Sequence, residues 1–170
     1  MKKIKSMSSV MRTSAFVGCI MIPVSFVIFL VAGFSDPEEL HLFDVVVQPG
    51  MSILKRIMAM SPMAITLIFG TFVVYFLYRF FQALSQGEIF TKYAVQSLRK
   101  AAWFYLIGNL LHVISYAATV HFLQDFNWQT NIQLTFDRLV ENNITTPLLF
   151  LLFSWILEEG RKLKESSLAS

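Results

Sequence analysis

The chain has 170 residues, of which 55% are hydrophobic and only 15% are charged, and its mean hydropathy is +0.59. A soluble domain carries roughly 25% charged residues, and 17 Phe side chains are more than a soluble core of this size can shelter. The formal net charge is +3, but the basic residues flank apolar segments instead of sharing one face, so we expect no direct nucleic-acid binding. The composition predicts one all-α domain, residues 1–170, embedded in a bilayer.

The first apolar segment, about residues 14–34, follows a short basic N-terminus. A run of this length without a charge spans the roughly 30 Å of a bilayer's hydrocarbon core. Pro23 is expected to kink the helix and to free the carbonyl of Cys19. A cleaved signal peptide is the alternative, with Val31 and Gly33 as a weak cleavage site. The apolar run is longer than the about 7–15 residues typical of such peptides.

Residues 35–61 are predicted to form a long loop, with a turn at Pro49 and Gly50. Within it, residues 51–60 carry apolar side chains against a basic pair. Two interpretations stay open for this stretch: a short helix at the membrane interface, or an early start of the next spanning helix.

Ser61 and Pro62 have the residue types of an N-cap and a first helical position, and they predict the start of a second span at about 62–82. Near its far end lie two tyrosines and Arg79, as in an aromatic belt with a snorkelling cation; the tyrosines are Tyr75 and Tyr78. Gly87 is expected to end this helix as its C-cap.

The turn 83–101 is predicted to hold a short amphipathic extension that Thr91 caps and that continues into the third span, about 102–123. Apolar side chains recur every four residues along one side of the extension, and basic residues occupy the other. The basic residues are Lys92, Arg99 and Lys100.

A polar loop at 124–143 separates the third span from a fourth apolar segment at about 144–158. This segment is shorter than the about 17–25 residues that a span normally needs, so local thinning of the bilayer or snorkelling would have to cover the mismatch. A charged tail, 159–170, follows.

The distribution of basic residues predicts the orientation. With four spans, 11 of the 14 Lys and Arg residues lie on the side of both termini and of the central turn. The positive-inside rule then places both termini in the cytoplasm. The predicted fold is an integral membrane four-helix bundle with its N- and C-termini inside.

A polar stripe runs along the third span, because its members recur at spacings of three and four residues. They are Tyr105, Asn109, His112, Ser115, Tyr116 and Thr119. The stripe should face other helices, since Asn and His are costly in lipid. It favours hydrogen bonding between helices, with Gly108 allowing close approach, while a ligand contact or a proton-linked switch at His112 is the alternative.

The basic residues Lys92, Arg99 and Lys100 have two interpretations as well. They are typical of topology determinants beside anionic headgroups, or they dock a cytoplasmic partner together with the tail.

The chain has no phosphate-binding loop, no metalloprotease motif, no nucleophile elbow and no pair of cysteines. We therefore expect no enzyme, and neither a cofactor nor a metal site.

The central segment GEIFTKYAVQSLRKAAW resembles the linker of a bacterial membrane family, the domain of unknown function 2975, and the tail LEEGRKLKESS is similar to that family's closing segment. The matching positions are Gly87, Phe90, Leu98, Arg99, Glu159, Gly160, Leu163, Lys164 and Glu165. The final residues, 166–170, depart from the family's acidic and apolar ending. The resemblance implies a four-span inner-membrane protein whose gene lies beside that of a small helix-turn-helix regulator, and it implies no activity, cofactor or catalytic residue.

Three functional hypotheses follow. The first is a non-enzymatic membrane protein that binds a cytoplasmic partner, with a small helix-turn-helix regulator as the candidate that the resemblance offers. The second is a component for permeation or transport of ions or small molecules that uses the polar stripe. The third is an accessory or immunity-type membrane protein. The lipid bilayer is a partner in each case, and a homo-oligomer stays open.

Overall fold

The structure is a computed structural model that describes residues 2–35, 40–42, 45–47, 50, 52–123 and 144–169. These residues form four α-helices and one pair of short antiparallel strands, in the order α1 Lys2–Phe34, β1 Leu40–Leu42, β2 Val45–Val47, α2 Ile53–Gln86, α3 Lys92–Leu123 and α4 Thr145–Ala169. The helices agree with the predicted all-α class, and the strand pair, within the predicted loop 35–61, is an addition to it. The predicted loop 124–143 lies outside the described residues.

Three of the helical stretches are long and apolar enough to cross a membrane: Lys5–Phe34, Ile53–Gln86 and Lys92–Phe122. At about 1.5 Å per residue, each exceeds the roughly 30 Å thickness of the hydrocarbon core. Helix α4 is not among them, because Glu158 and Glu159 directly follow its apolar part. The chain is therefore a multi-pass membrane protein, and the fourth crossing stays a prediction.

Helix α2 begins earlier than Ser61 and Pro62 predicted. Its N-cap is Ser52, whose Oγ accepts from Lys55 N at 3.5 Å and whose carbonyl accepts from Arg56 N at 3.0 Å. The predicted start at residue 62 is wrong, and the early-start interpretation of 51–60 is correct. Pro62 consequently lies inside the helix, where its missing N–H has to be compensated.

The turn between α2 and α3 is shorter than the predicted 83–101. Helix α2 ends at Gln86, and Gly87, which directly follows it, has a φ of 87°. The last carbonyls of the helix accept from Gly87 N at 3.0 Å and from Glu88 N at 2.9 Å, as in a Schellman motif. Thr91 caps α3 by accepting from Ala94 N at 3.3 Å. The predicted extension and the third span thus belong to one uninterrupted helix.

The chain divides into two compact units. The first contains Met1–Met21, Gly70–Leu106 and Thr145–Ser170, and the second contains Ile22–Phe69 and Ile107–Ile144. Small side chains dominate the core of the first unit, which lets its helices approach closely. Its buried residues include Ala83, Ala94, Val95, Leu98, Ala101 and Ala102. The core of the second unit holds larger side chains, including Phe29, Met60, Val113, Tyr116 and Val120.

Large apolar side chains lie outside these cores, on helix surfaces. Helix α1 exposes Val10, Phe16, Val17, Ile20, Val24, Val27, Ile28 and Val31, and α4 exposes Leu148, Leu149, Leu152, Phe153, Trp155 and Ile156. Soluble proteins rarely expose continuous apolar surfaces of this size. Small residues inside and large apolar residues outside are what a lipid environment favours.

Candidate functional site

Pro62 interrupts the backbone hydrogen bonds of α2 because proline has no N–H. The carbonyl of Met58, four residues earlier, loses its usual donor. Two hydroxyls replace it: Thr119 Oγ1 of α3 donates to this oxygen at 2.8 Å, and Ser61 Oγ donates at 2.9 Å. A carbonyl oxygen has two lone pairs and accepts both bonds. Side chains from both helices therefore satisfy the carbonyl that the proline frees, which makes a proline tolerable inside a spanning helix.

His112 of α3 contacts α2 one turn further along. Its Nδ1 lies 3.1 Å from the carbonyl oxygen of Pro62 and 2.9 Å from Thr66 Oγ1. A carbonyl oxygen only accepts hydrogen bonds, so Nδ1 carries the hydrogen that this contact requires. Thr66 Oγ1 itself donates to the Pro62 carbonyl at 3.1 Å and is free to accept from Nδ1. When the ring is neutral, Nε2 therefore holds the lone pair.

Ser115 completes the contact between the two helices. Its Oγ lies 2.5 Å from Ser61 Oγ, and because Ser61 already donates to the Met58 carbonyl, Ser115 is the donor to Ser61. We call this set the α2–α3 seam: Met58, Ser61, Pro62 and Thr66 of α2 with His112, Ser115 and Thr119 of α3. Gly108 lets the helices approach beside the seam, because a Cβ at this position would lie 2.7 Å from Phe69 Cβ.

The structure brings only part of the predicted polar stripe into the seam. His112, Ser115 and Thr119 contact α2. Tyr105 is half-buried and belongs to the first unit. Asn109 is half-buried, and Tyr116 is buried at 7% exposure. Among the residues that the structure describes, no three His, Cys, Asp or Glu side chains form a group that could hold a metal ion.

The three residues of the predicted basic patch have different surroundings. Lys92 is exposed. Lys100 Nζ lies over the ring of Phe76, 5.6 Å from its centroid. Arg99 is half-buried, its Nε has no hydrogen-bond partner among the described residues, and its charge is close enough to Glu158 to attract that carboxylate.

The central turn and the tail are in direct contact in the first unit. A Cβ at Gly160 would lie 2.6 Å from Phe90 Cε1, so the phenylalanine ring packs on the backbone of α4. Gly87 is approached by Lys5 in the same way, with Cε 3.2 Å from a Cβ at the glycine. The two stretches that carry the family resemblance, about 70 residues apart in the chain, thus meet at Phe90 and Gly160.

A family model described as "Protein of unknown function (DUF2975)" matches residues 48–167. The chain belongs to this family. The match confirms the resemblance of the central turn and the tail, and it covers 120 of the 170 residues. The matched region contains α2 and α3, and α1 precedes this region. No curated protein and no solved structure matches the chain.

In this DUF2975 protein, most charges of the tail pair with one another along α4. Arg161 donates to Glu158 at 2.9 and 3.2 Å and to Glu165 at 2.5 Å, and Lys162 donates to Glu159 at 2.7 Å. The hydrogen bond to Glu158 raises the pKa of Arg161, and the one to Glu159 raises the pKa of Lys162. Such exposed pairs add little stability, but they leave few charges of the tail available to a partner.

Several residues in these contacts were not predicted from the sequence. Met58 and Thr66 were not predicted, although the rule that a proline frees the carbonyl four residues earlier identifies Met58 once Pro62 is known to be helical. Arg79 was predicted in an aromatic belt with Tyr75, but the hydrogen bond from its Nε to Tyr93 OH, at 2.6 Å, has no signal in the sequence.

Proposed function

We propose that this DUF2975 protein is a non-enzymatic bacterial inner-membrane protein, with both termini in the cytoplasm, that binds a cytoplasmic protein where its central turn and tail meet. The binding surface consists of Phe90, Lys92, Leu163 and Lys164, and we call it the turn–tail surface. The observation that carries the proposal is the contact between Phe90 and Gly160, because it joins the two family stretches into one surface.

The turn–tail surface has the chemistry of a protein-binding site. Phe90 is 42% exposed and Leu163 is 70% exposed, although Leu163 lies on an otherwise charged part of α4. Lys92 and Lys164 are exposed, and neither is within ion-pair distance of a carboxylate in the described part of the chain. Apolar side chains beside unpaired cations fit a partner that presents an apolar patch with an acidic rim.

The proposed orientation is supported by charge and by α4. Eleven of the 14 basic residues fall on the side of the turn and the tail when the chain crosses the membrane four times. The exposed apolar residues of α4, such as Leu152 at 48% and Trp155 at 58% exposure, favour a lipid contact for that helix. A fourth crossing returns the tail to the side of the turn.

The experiment is site-specific photocrosslinking in native membranes, with the photoreactive residue at position 92. A defined crosslinked partner is expected, and it should be lost when Lys164 is replaced in K164E. The matched control is the same photoreactive residue at position 55. Lys55 is also an exposed lysine, but it lies near the start of α2, at the end of this helix that is remote from the turn. Position 92 is preferred to Arg99, whose partial burial makes a folding defect harder to separate from lost binding.

Three outcomes would contradict this function: no crosslink from position 92, an identical crosslink from position 55, or a crosslink that persists in K164E. Co-expression with the product of the neighbouring gene tests the helix-turn-helix candidate directly.

The transport hypothesis receives no comparable support from the α2–α3 seam. His112 Nδ1, Ser115 and Thr119 each make a hydrogen bond to α2, and Thr119 Oγ1 also lies 2.9 Å from the Ser115 carbonyl of its own helix, so these groups already have partners within the protein. No geometric feature of the described residues favours an immunity-type role over the proposed one.

A further inference from the structure

Two cations of the first unit lie over aromatic rings of α2 and α3. Arg79 Cζ is 4.5 Å from the centroid of the Tyr93 ring and 5.8 Å from that of Tyr75. The Tyr75 ring in turn neighbours Phe76, with centroids 5.3 Å apart, and Lys100 Nζ lies 5.6 Å from the Phe76 centroid. We call these five residues the cation–ring surface.

Arg79 and Lys100 lie at the same depth. Arg79 is seven residues before the end of α2 at Gln86, and Lys100 is eight residues after the start of α3 at Lys92. At about 1.5 Å per residue, both are about 10–12 Å from the turn that joins the helices. A 34-residue helix such as α2 is about 51 Å long, so it extends about 10 Å beyond each side of a roughly 30 Å hydrocarbon core. If α2 is centred on the bilayer, both cations are near the level where acyl chains meet headgroup phosphates.

The two cations have donors to spare. The Nε of Arg79 donates to Tyr93 OH at 2.6 Å, and its side chain also hydrogen-bonds Tyr75. A guanidinium has five N–H donors, so these two bonds leave N–H groups on the terminal nitrogens for a further acceptor. In the described part of the chain, neither Arg79 nor Lys100 has a carboxylate at ion-pair distance. Cations at the edge of the hydrocarbon region snorkel to the headgroup level, where anionic phosphates attract them.

We propose that Arg79 and Lys100 bind the phosphate of an anionic phospholipid from the leaflet that faces the α2–α3 turn. The guanidinium offers the planar pair of donors that matches a phosphate, and Lys100 adds a second positive charge. The rings of Tyr75 and Tyr93, 44% and 40% exposed, offer the lipid's glycerol and upper acyl chains an apolar surface. The lipid is favoured over a soluble anion because these rings lie in the spanning helices, at the level of the headgroups.

The test is native mass spectrometry of the full-length protein in detergent, titrated with phosphatidylglycerol or phosphatidylcholine. The wild type is expected to retain phosphatidylglycerol preferentially. Replacing both cations, R79Q/K100Q, should reduce that preference by about thirtyfold, since each basic residue near a headgroup contributes about a fivefold effect. The matched control is K55Q, which removes an exposed lysine near the start of α2 that lies over no ring in the described part of the chain, and which should keep the preference.

A second variant guards against misfolding of R79Q/K100Q. Y93F keeps both charges and removes the hydroxyl that holds Arg79 Nε, and it should weaken phosphatidylglycerol retention by about threefold to tenfold. Inorganic phosphate at millimolar concentration should not displace the lipid. The proposal is overturned by a wild type without preference, by a preference unchanged in R79Q/K100Q or Y93F, by an equal loss in K55Q, or by displacement with inorganic phosphate.

Discussion

Thr119 Oγ1 donates a 2.8 Å hydrogen bond to the carbonyl of Met58, the group that Pro62 deprives of its backbone donor. The bond is shielded, because Thr119 is only 1% exposed. A side chain of α3 thereby repairs the backbone of α2, so the position of the proline and the packing of the two helices depend on each other.

Removing this hydroxyl should destabilise the protein measurably. T119V keeps the shape of the side chain and leaves the Met58 carbonyl with Ser61 as its remaining donor, at a cost of about 0.6–1.7 kcal/mol, the range for hydrogen bonds between membrane helices. Unfolding by SDS in mixed micelles, followed by circular dichroism, measures it. The control is T13V, because Thr13 Oγ1 donates only to Ser9 of its own helix at an exposed position; equal losses in the two variants would contradict the argument.

The dependence on Pro62 has its own test. P62A restores an N–H at position 62, and that group is able to donate to the Met58 carbonyl. The cost of T119V should therefore shrink in the P62A background, with a coupling energy of about 0.5–1 kcal/mol in the double-mutant cycle. Strictly additive losses would show that Thr119 acts independently of the proline.

The hydrogen on His112 Nδ1 leads to a third prediction. In ¹⁵N NMR spectra of the protein in micelles, Nδ1 should be protonated when the ring is neutral and when it is charged, because the Pro62 carbonyl accepts from it at 3.1 Å. The seam should therefore survive protonation of the ring.

Substitution at His112 gives an independent check of the same contact. H112N places an amide nitrogen at the same number of bonds from Cα as Nδ1 and should stay near wild-type stability, while H112L should lose about 1 kcal/mol. A neutral ring protonated at Nε2, or equal losses in H112N and H112L, would be inconsistent with this geometry.

The positions of the glycines give a fourth prediction. G108A should destabilise by about 1–3 kcal/mol, because its Cβ would lie 2.7 Å from Phe69 Cβ, an atom too close to the backbone to move freely. G160A is expected to cost less, since the Phe90 ring atom it meets is the end of a rotatable side chain. The control is G70A, which meets nothing within 4 Å and should be neutral or slightly stabilising in a helix. SDS unfolding would rank the three variants, and an equal cost for G70A would remove the packing argument.

Hydrophobicity, charge and capping predicted the helices more reliably than their lengths. The C-cap at Gly87 and the cap at Thr91 follow from local rules and are present in the structure. The start of α2 does not follow from such rules, because a serine followed by a proline, as at Ser61 and Pro62, is compatible with a helix start and also with a position inside a helix. The hydroxyl of Thr119, which lies 57 positions from Pro62 in the chain, helps Ser61 to satisfy the freed carbonyl and so to stabilise the second possibility.

The sequence predicts those features of the site that depend on the residue spacing along a single helix. Spacing along α3 predicted that His112 and Ser115 share a face, but a single helix contains no information about which carbonyls lie opposite. The contact of Phe90 with Gly160 likewise needs the packing of α4. Resemblance to a family identified both stretches without indicating that they touch.

The fourth crossing is the last prediction. A reporter fused after Leu123 should lie on the periplasmic side of the membrane and one fused at Ser170 on the cytoplasmic side, because the exposed apolar residues of α4 favour insertion of this helix into the bilayer. Replacing Leu152, at 48% exposure, with arginine adds about 2.5–3.5 kcal/mol to the insertion of the helix centre. L152R should therefore move a share of the Ser170 reporter to the outside and leave the Leu123 reporter unchanged. If both wild-type reporters lie on the same face, α4 does not cross, and the tail cannot share the cytoplasmic side with the turn.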